Sequence, residues 1–282
     1  METCRELETN CSWLYFTVGT QRFNSILRLA YRDGMTMLLN MRSAHGKMMS
    51  MPTVYPTLIA IETSTDLASV ALLRANQLSF LESHGSQTHS QTVPRLFQAL
   101  LEQAQLNLSH CDALAFGSGP GSFTGVRTAC GLAQGVAFGA NLPTAPVITL
   151  LAMAERARLA GAGNDVLALL DARMGEVYWA QYRFDGGWQE VIAPRLSHAS
   201  HVSPEGSPTL CGNGLIHHGD ELTHLNHAQS LPEIMPHAAE IARLGADMFL
   251  TGQTVHARDA QPVYLRNKVA LTTLERQSGV RV

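Results

Sequence analysis

Hydrophobic and polar positions alternate between two periods along most of this chain. Leu58-Ile-Ala-Ile61 is a short unbroken apolar run of the buried-strand type. Glu62-Thr-Ser-Thr-Asp66 interrupts it with a polar turn, and Ala68-Ser-Val-Ala-Leu-Leu73 resumes it. A hairpin with an acidic, hydroxyl-rich tip is predicted, with a third strand over Gln77 to Glu82. From Thr88 to Gln105 the period lengthens. Val93, Leu96, Phe97, Leu100, Leu101 and Ala104 form one helical stripe, Pro94 falls in the first turn, and Ser90 or Thr92 is placed to cap it. A strand over Asp112 to Phe116 then runs into Gly117-Ser-Gly-Pro-Gly-Ser-Phe-Thr-Gly-Val-Arg127 and a small-residue helix ending at Gly139. Pro143 to Ile148 reads as a strand and Leu150 to Leu159 as a helix.

Beyond the linker-like Gly161-Ala-Gly-Asn164 the opening theme returns. Val166-Leu-Ala-Leu-Leu170 is a buried strand, Asp171-Ala-Arg-Met-Gly175 an acidic turn, and Glu176 to Tyr182 an alternating strand. Duplication of one α/β lobe explains the recurrence, with a first copy over 56–161 and a second over 162–266. The second copy is looser: Thr209 to Gly214 ends a strand in glycines, and a helix over Pro236 to Met248 starts at its proline. Pro262-Val-Tyr-Leu-Arg266 reads as a short ordered segment, and the tail 267–282 is expected to be mobile. Residues 1–50, with Trp13-Leu-Tyr-Phe16 and a methionine cluster, do not continue this pattern. They contain neither an 18-residue apolar span nor the basic start and cleavage site of a signal peptide. An N-terminal extension, disordered or arising from a misplaced start, is the expectation there.

Composition narrows the chemistry. A chain of 282 residues, 45% apolar, can bury one large core or two lobes. A formal charge of −3 argues against a stand-alone nucleic-acid binder, so any RNA contact is expected to run through a partner. Five scattered cysteines without CxxC or CxxH spacing point to neither disulfides nor zinc, and to a reducing cytoplasm.

The strand–glycine loop–helix stretch has the outline of a phosphate cradle, because free backbone N–H groups point outward at a helix N-terminus. It lacks the terminal Lys-Ser/Thr of a P-loop, and its glycine spacing misses the dinucleotide fingerprint. Tight turning and close packing account better for its glycines, with Thr124 or Ser122 as helix cap and Arg127 pairing with a nearby acid or lying on the surface. Glu62 and Asp171 stand where a kinase-like protein holds Mg-nucleotide, but Glu62 is a methylene longer than the usual aspartate. Hydrogen bonding within the hairpin tip by Glu62, Thr63 and Ser64, and a local turn and ion pair of Asp171 with Arg173, are expected instead. In the second helix Gly131, Gly135 and Gly139 recur every four residues among alanines. Each costs about 1 kcal/mol relative to alanine, which makes sense where something packs closely, either a partner or the protein's own sheet.

Ile59-Ala-Ile-Glu-Thr-Ser-Thr65, Gly119-Pro-Gly-Ser-Phe-Thr-Gly-Val-Arg127 and Asp171-Ala-Arg-Met-Gly-Glu-Val-Tyr178 occur in an order that closely resembles the TsaB (YeaZ) family. His89-Ser-Gln-Thr92 and Pro262 to Arg266 support it, and the resemblance spans roughly residues 56–268. It implies a duplicated two-lobed α/β fold of the actin/Hsp70/sugar-kinase (ASKHA) type, with mixed sheets flanked by helices. It also implies a noncatalytic scaffold in tRNA threonylcarbamoylation. The partners would be a TsaD-like catalytic paralogue and a TsaE-like ATPase, with tRNA met only through the complex, no membrane and no cofactor. A homodimer when alone is the other arrangement the same face allows. The implied interface combines Gln91, Arg95, Gln98, Ala99 and Glu102 on the first helix with Thr124, Arg127, Gly131, Gln134 and Gly135 on the second. Glu62, Thr63, Ser64, Gly119, Gly121, Ser122 and Asp171 would be a vestigial nucleotide-type loop. Thr149 and Met153 would replace the paralogue's two metal-binding histidines, so no metal and no catalytic residue is expected. The alternative is an ATP-dependent ASKHA-type kinase or hydrolase, the class behind older glycoprotease descriptions.

Overall fold

The computed structural model describes the strands between residues 12 and 49, and residues 55–84 and 88–266. The chain divides into two units, 1–54 and 55–282. In the first, β1 (Ser12–Thr20), β2 (Phe23–Arg32), β3 (Met35–Ser43) and β4 (Met48–Met49) pair antiparallel in that order. The readings of 1–50 as an extension and of the tail from Asn267 otherwise lie outside the described residues.

The second unit contains two five-stranded mixed sheets built to one plan. The first comprises β5 (Leu58–Glu62), β6 (Leu67–Arg74), β7 (Gln77–His84), β8 (Ala113–Gly119) and β9 (Thr144–Ile148), in the order β7-β6-β5-β8-β9. The second comprises β10 (Asp165–Asp171), β11 (Glu176–Phe184), β12 (Trp188–His198), β13 (Thr209–Cys211) and β14 (Ser230–Leu231), in the order β12-β11-β10-β13-β14. In each sheet a hairpin and a third antiparallel strand lie on one side, and two parallel strands on the other. The apolar runs are uninterrupted because the central strands are covered on both faces. β12 is an edge strand with mixed exposure, a pattern that gave no apolar signal.

The helices are α1 (His89–Gln103), α2 (Phe123–Ala140), α3 (Thr149–Leu159), the single turn α4 (Gly214–His217) and α5 (Ala238–Leu250). α1 and α2 cover one face of the first sheet through Val93, Phe97, Leu100, Ala129, Ala133 and Ala137. The other face receives α5, which comes from the second half of the sequence, while α3 from the first half packs on β10 and β11. The halves therefore exchange a covering helix, so the division of the sheets near Gly161 is not the division of the helices. Gly245 makes this approach feasible, since a Cβ there would lie 2.5 Å from Ala115 Cβ.

The starts of two helices differ from expectation. α1 is preceded by Thr88, which makes no side-chain cap bond, and neither Ser90 nor Thr92 caps it. α5 begins at Ala238 rather than at Pro236: the Ala239 N–H donates to His237 Nδ1 at 3.0 Å, and the Ala238 N–H donates to Ser69 Oγ at 3.0 Å. A histidine gives no cap signal in sequence, because an imidazole accepts there only in one tautomer.

That tautomer is fixed. With Nδ1 accepting, the proton resides on Nε2 and is donated to Glu82 Oε2 at 3.0 Å. Burial lowers the His237 pKa, Arg156 on α3 adds to this, and Glu82 on β7 opposes it. The folded protein thus binds the imidazole proton more weakly than the unfolded chain. Stability from this residue is whole above the ordinary histidine value and is lost as pH falls below it. His237→Asn retains an N-cap acceptor without a titrating ring. Its stability is expected to change less between pH 7 and pH 5 than that of the native chain, as read by denaturant melts; parallel curves would show that another group sets the slope.

Candidate functional site

Two features of the second unit invite a function: a cleft between the sheets and the outer face of α1 and α2. Both are organised by the glycine segment.

The segment contains two kinds of glycine. At Gly117, Gly121 and Gly125 a Cβ would come closer than 3.0 Å to Glu62, Ser64 and the Thr63 carbonyl respectively, a separation that real Cβ atoms essentially never show. These glycines let the end of β8 and the first turn of α2 lock onto the β5–β6 hairpin tip. Thr63 Oγ1 donates to Gly125 O at 2.8 Å, and the Ser122 N–H donates to Ser64 O at 2.7 Å. Ser122 is the cap of α2, its Oγ accepting from the Gly125 N–H at 3.5 Å. At Gly131, Gly135 and Gly139, by contrast, nothing among the described residues lies within 4 Å of where a Cβ would stand. The protein's own sheet therefore does not explain these three.

Beneath Gly117 sits Glu62, fully buried in β5. Its Oε1 accepts from the Ser64 N–H, and its Oε2 has no partner among the described residues. Burial pushes the Glu62 pKa up, against the hydrogen bonds from Ser64. A carboxyl raised in this way contributes stability that is whole below the ordinary glutamate value and lost as pH rises through the folded value. Glu62→Gln removes the charge and is expected to leave the thermal midpoint at pH 7 equal or higher. A loss of more than about 2 kcal/mol would show instead that the carboxylate itself is required.

The cleft has a volume of about 560 Å³. Ser64, Gly121 and Ser122 line it from the first sheet and Asp171 from the second, whereas Glu62, Thr63 and Gly119 do not reach it. Asp171 accepts from the Arg173 N–H at 3.0 Å and lies 3.6 Å from the Arg173 guanidinium, the local arrangement expected. Sequence reasoning missed His218, whose Nε2 lies 3.0 Å from Asp171 Oδ1, and Asn213, whose Oδ1 accepts from the Asp171 N–H at 2.9 Å. Burial raises the Asp171 pKa, but the bonds from His218 and Arg173 outweigh it and hold the carboxyl below its ordinary value. The only signal for Asn213 was its place in a glycine turn after a short strand. Thr149 and Met153 are buried at the start of α3; Thr149 Oγ1 accepts from the Gly119 N–H at 3.2 Å. Among the described residues no group of three or more His, Cys, Asp or Glu side chains is placed to hold a metal ion.

On the outer face, Gln91, Arg95, Gln98 and Glu102 of α1 are exposed and Ala99 half-buried, with Gln98 donating to Glu102 at 2.8 Å. Thr124, Arg127, Gly131 and Gly135 of α2 are exposed. The two helices thus present one surface, to which Phe138, 78% exposed, and Phe123, 39% exposed, add apolar area. Gln134 is half-buried and donates to Ala260 O at 2.8 Å. Among the described residues Arg127 meets no acid: its Nε donates to Tyr264 Oη at 2.7 Å, and its guanidinium lies 3.7 Å from the centroid of the Phe123 ring. The planar cation stacks on the aromatic face instead.

Two mixed α/β sheets of identical order, facing a shared cleft, define a duplicated protein of the actin/Hsp70/sugar-kinase class. Residues 81–258 match the TsaD family model, described as tRNA N6-adenosine threonylcarbamoyltransferase. The chain is 37% identical over 225 residues to the tRNA threonylcarbamoyladenosine biosynthesis protein TsaB of Escherichia coli strain K12, covering 76% of this chain and 96% of that one. The Haemophilus influenzae protein of the same description is 36% identical over 225 residues, with 76% and 94% covered. The solved structure of YeaZ from Pseudomonas aeruginosa superposes with a TM-score of 0.70 at 32% identity, over 74% of this chain and 100% of that one. This chain belongs to the TsaB (YeaZ) family.

Proposed function

We propose that this protein acts in tRNA threonylcarbamoyladenosine biosynthesis as a noncatalytic scaffold that docks a TsaD-like catalytic paralogue, and through it a TsaE-like ATPase, against the outer face of α1 and α2. The role in the pathway follows from the relatives that bear its name. The observation that carries the docking is the open glycine row of α2. Three helical glycines, each costing about 1 kcal/mol against alanine, face no neighbour among the described residues. Small residues on an exposed helix face let the backbone of a second helix come close, and the flanking Phe123, Phe138 and Arg127 are of the residue types that anchor interfaces. A homodimer of the free protein would use the same face. tRNA is met through the complex, and the cytoplasm is the fitting compartment for buried free thiols at Cys111, Cys130 and Cys211. Among the described residues no helix is long and apolar enough to cross a membrane.

An ATP-dependent kinase or hydrolase built on Glu62 and Asp171 is the weaker reading. Glu62 is sealed under Gly117 and does not line the cleft, and Asp171 is engaged by His218 and Arg173. Titration calorimetry against the purified TsaD-like paralogue from the same organism tests the docking. A micromolar or tighter complex is expected, and no heat of binding at those concentrations would overturn it.

A further inference from the structure

Pro262 to Arg266 belongs to a strap, 257–266, that starts on the first sheet's outer helix and ends on the second sheet. Gln134 and Cys130 of α2 both contact Ala260 O, at 2.8 and 3.6 Å. The Val263 N–H donates to Ser118 O at the end of β8 at 2.7 Å, where Gly119 leaves room for the crossing. Tyr264 then packs 5.6 Å from Phe123, centroid to centroid, and holds Arg127. Two residues on, Arg266 reaches the β10–β11 turn. It donates to Ala172 O at 3.0 Å and to Glu176 Oε2 at 2.6 Å, and its other terminal nitrogen lies 3.3 Å from Met174 Sδ. That turn is strained, with Arg173 and Met174 both left-handed at φ 64° and 59°. Tyr264 and Arg266 both line the cleft.

The geometry points to a coupling device: the strap ties the docking face of α2 to the β10–β11 turn, so that a protein seated on α2 through Phe123, Arg127 and Tyr264 also steadies that turn at the edge of the cleft. The inference rests on the docking reading above and adds how the second sheet senses it. The strap residues are joined by short directional bonds to both ends. Displacing the Tyr264 ring is therefore expected to move the Arg266 guanidinium two residues away, which holds the turn from the strap side while Asp171 holds Arg173 from within the turn. Tyr264 would touch the partner, whereas Arg266 acts at a distance as a positioning residue.

Hydrogen exchange of the full chain, read by mass spectrometry with and without the purified TsaD-like paralogue, tests this. Docking is expected to slow exchange in α2 and also in residues 171–176. In Arg266→Ala the slowing in α2 should persist, that in 171–176 should disappear, and the complex should weaken about tenfold. Glu176→Gln, which breaks the same ion pair from the other side, should act alike. Unchanged exchange at 171–176 on docking, or equal slowing with and without Arg266, overturns the coupling. Binding that survives Gly135→Arg overturns the docking reading itself, and the coupling with it.

Discussion

Gly125→Ala is expected to destabilise the protein by about 3 kcal/mol or more, although alanine is the better helix former. The residue lies in the first turn of α2, and its added methyl would overlap the carbonyl oxygen of Thr63. Neither side can yield cheaply. The carbonyl belongs to the hairpin tip, and the same turn is held by the Thr63 hydroxyl and by Ser64 O. Gly131→Ala is the matched control. Its methyl would meet nothing among the described residues within 4 Å, so the helix should gain about 0.5–1 kcal/mol. Denaturant melts of the two variants should move in opposite directions; a shared sign would mean that the packing at the hairpin tip is not what requires Gly125.

Gly135→Arg is the second large effect, and it should be visible in binding while stability stays level. Position 135 is exposed, and arginine has a higher helix propensity than glycine, so the thermal midpoint should stay level or rise. A partner helix that uses the open row at Gly131, Gly135 and Gly139 would meet a long charged side chain at the closest approach. The complex with the TsaD-like paralogue is expected to weaken at least a hundredfold, about 2.7 kcal/mol. Calorimetry and melting on the same preparation check both halves. Native-like affinity would move the interface off this helix.

The same two positions mark the limit of what the chain reveals on inspection. Gly125 and Gly135 both stand in a small-residue helix, and nothing in their spacing separates a glycine required by its own hairpin from one left open. Arg127 was equally opaque: whether a guanidinium meets an acid or a ring depends on Tyr264, more than a hundred residues later. His218 and Asn213 reach Asp171 from a loop whose path no local pattern dictates.

Residue order alone carries the repeated plan of buried strand, polar turn and returning strand. Periods of two and 3.6 residues are local consequences of which faces are covered, and the motifs carrying the family resemblance are contiguous. It determined α1 and its buried stripe for the same reason. That α3 and α5 exchange sheets, that Glu62 is sealed away from the cleft, and that the strap joins α2 to the second sheet emerges first in the folded chain. Those are contacts between segments far apart in the chain, set by packing and by which polar groups find partners once the backbone has closed, and no window of residues contains both sides of them.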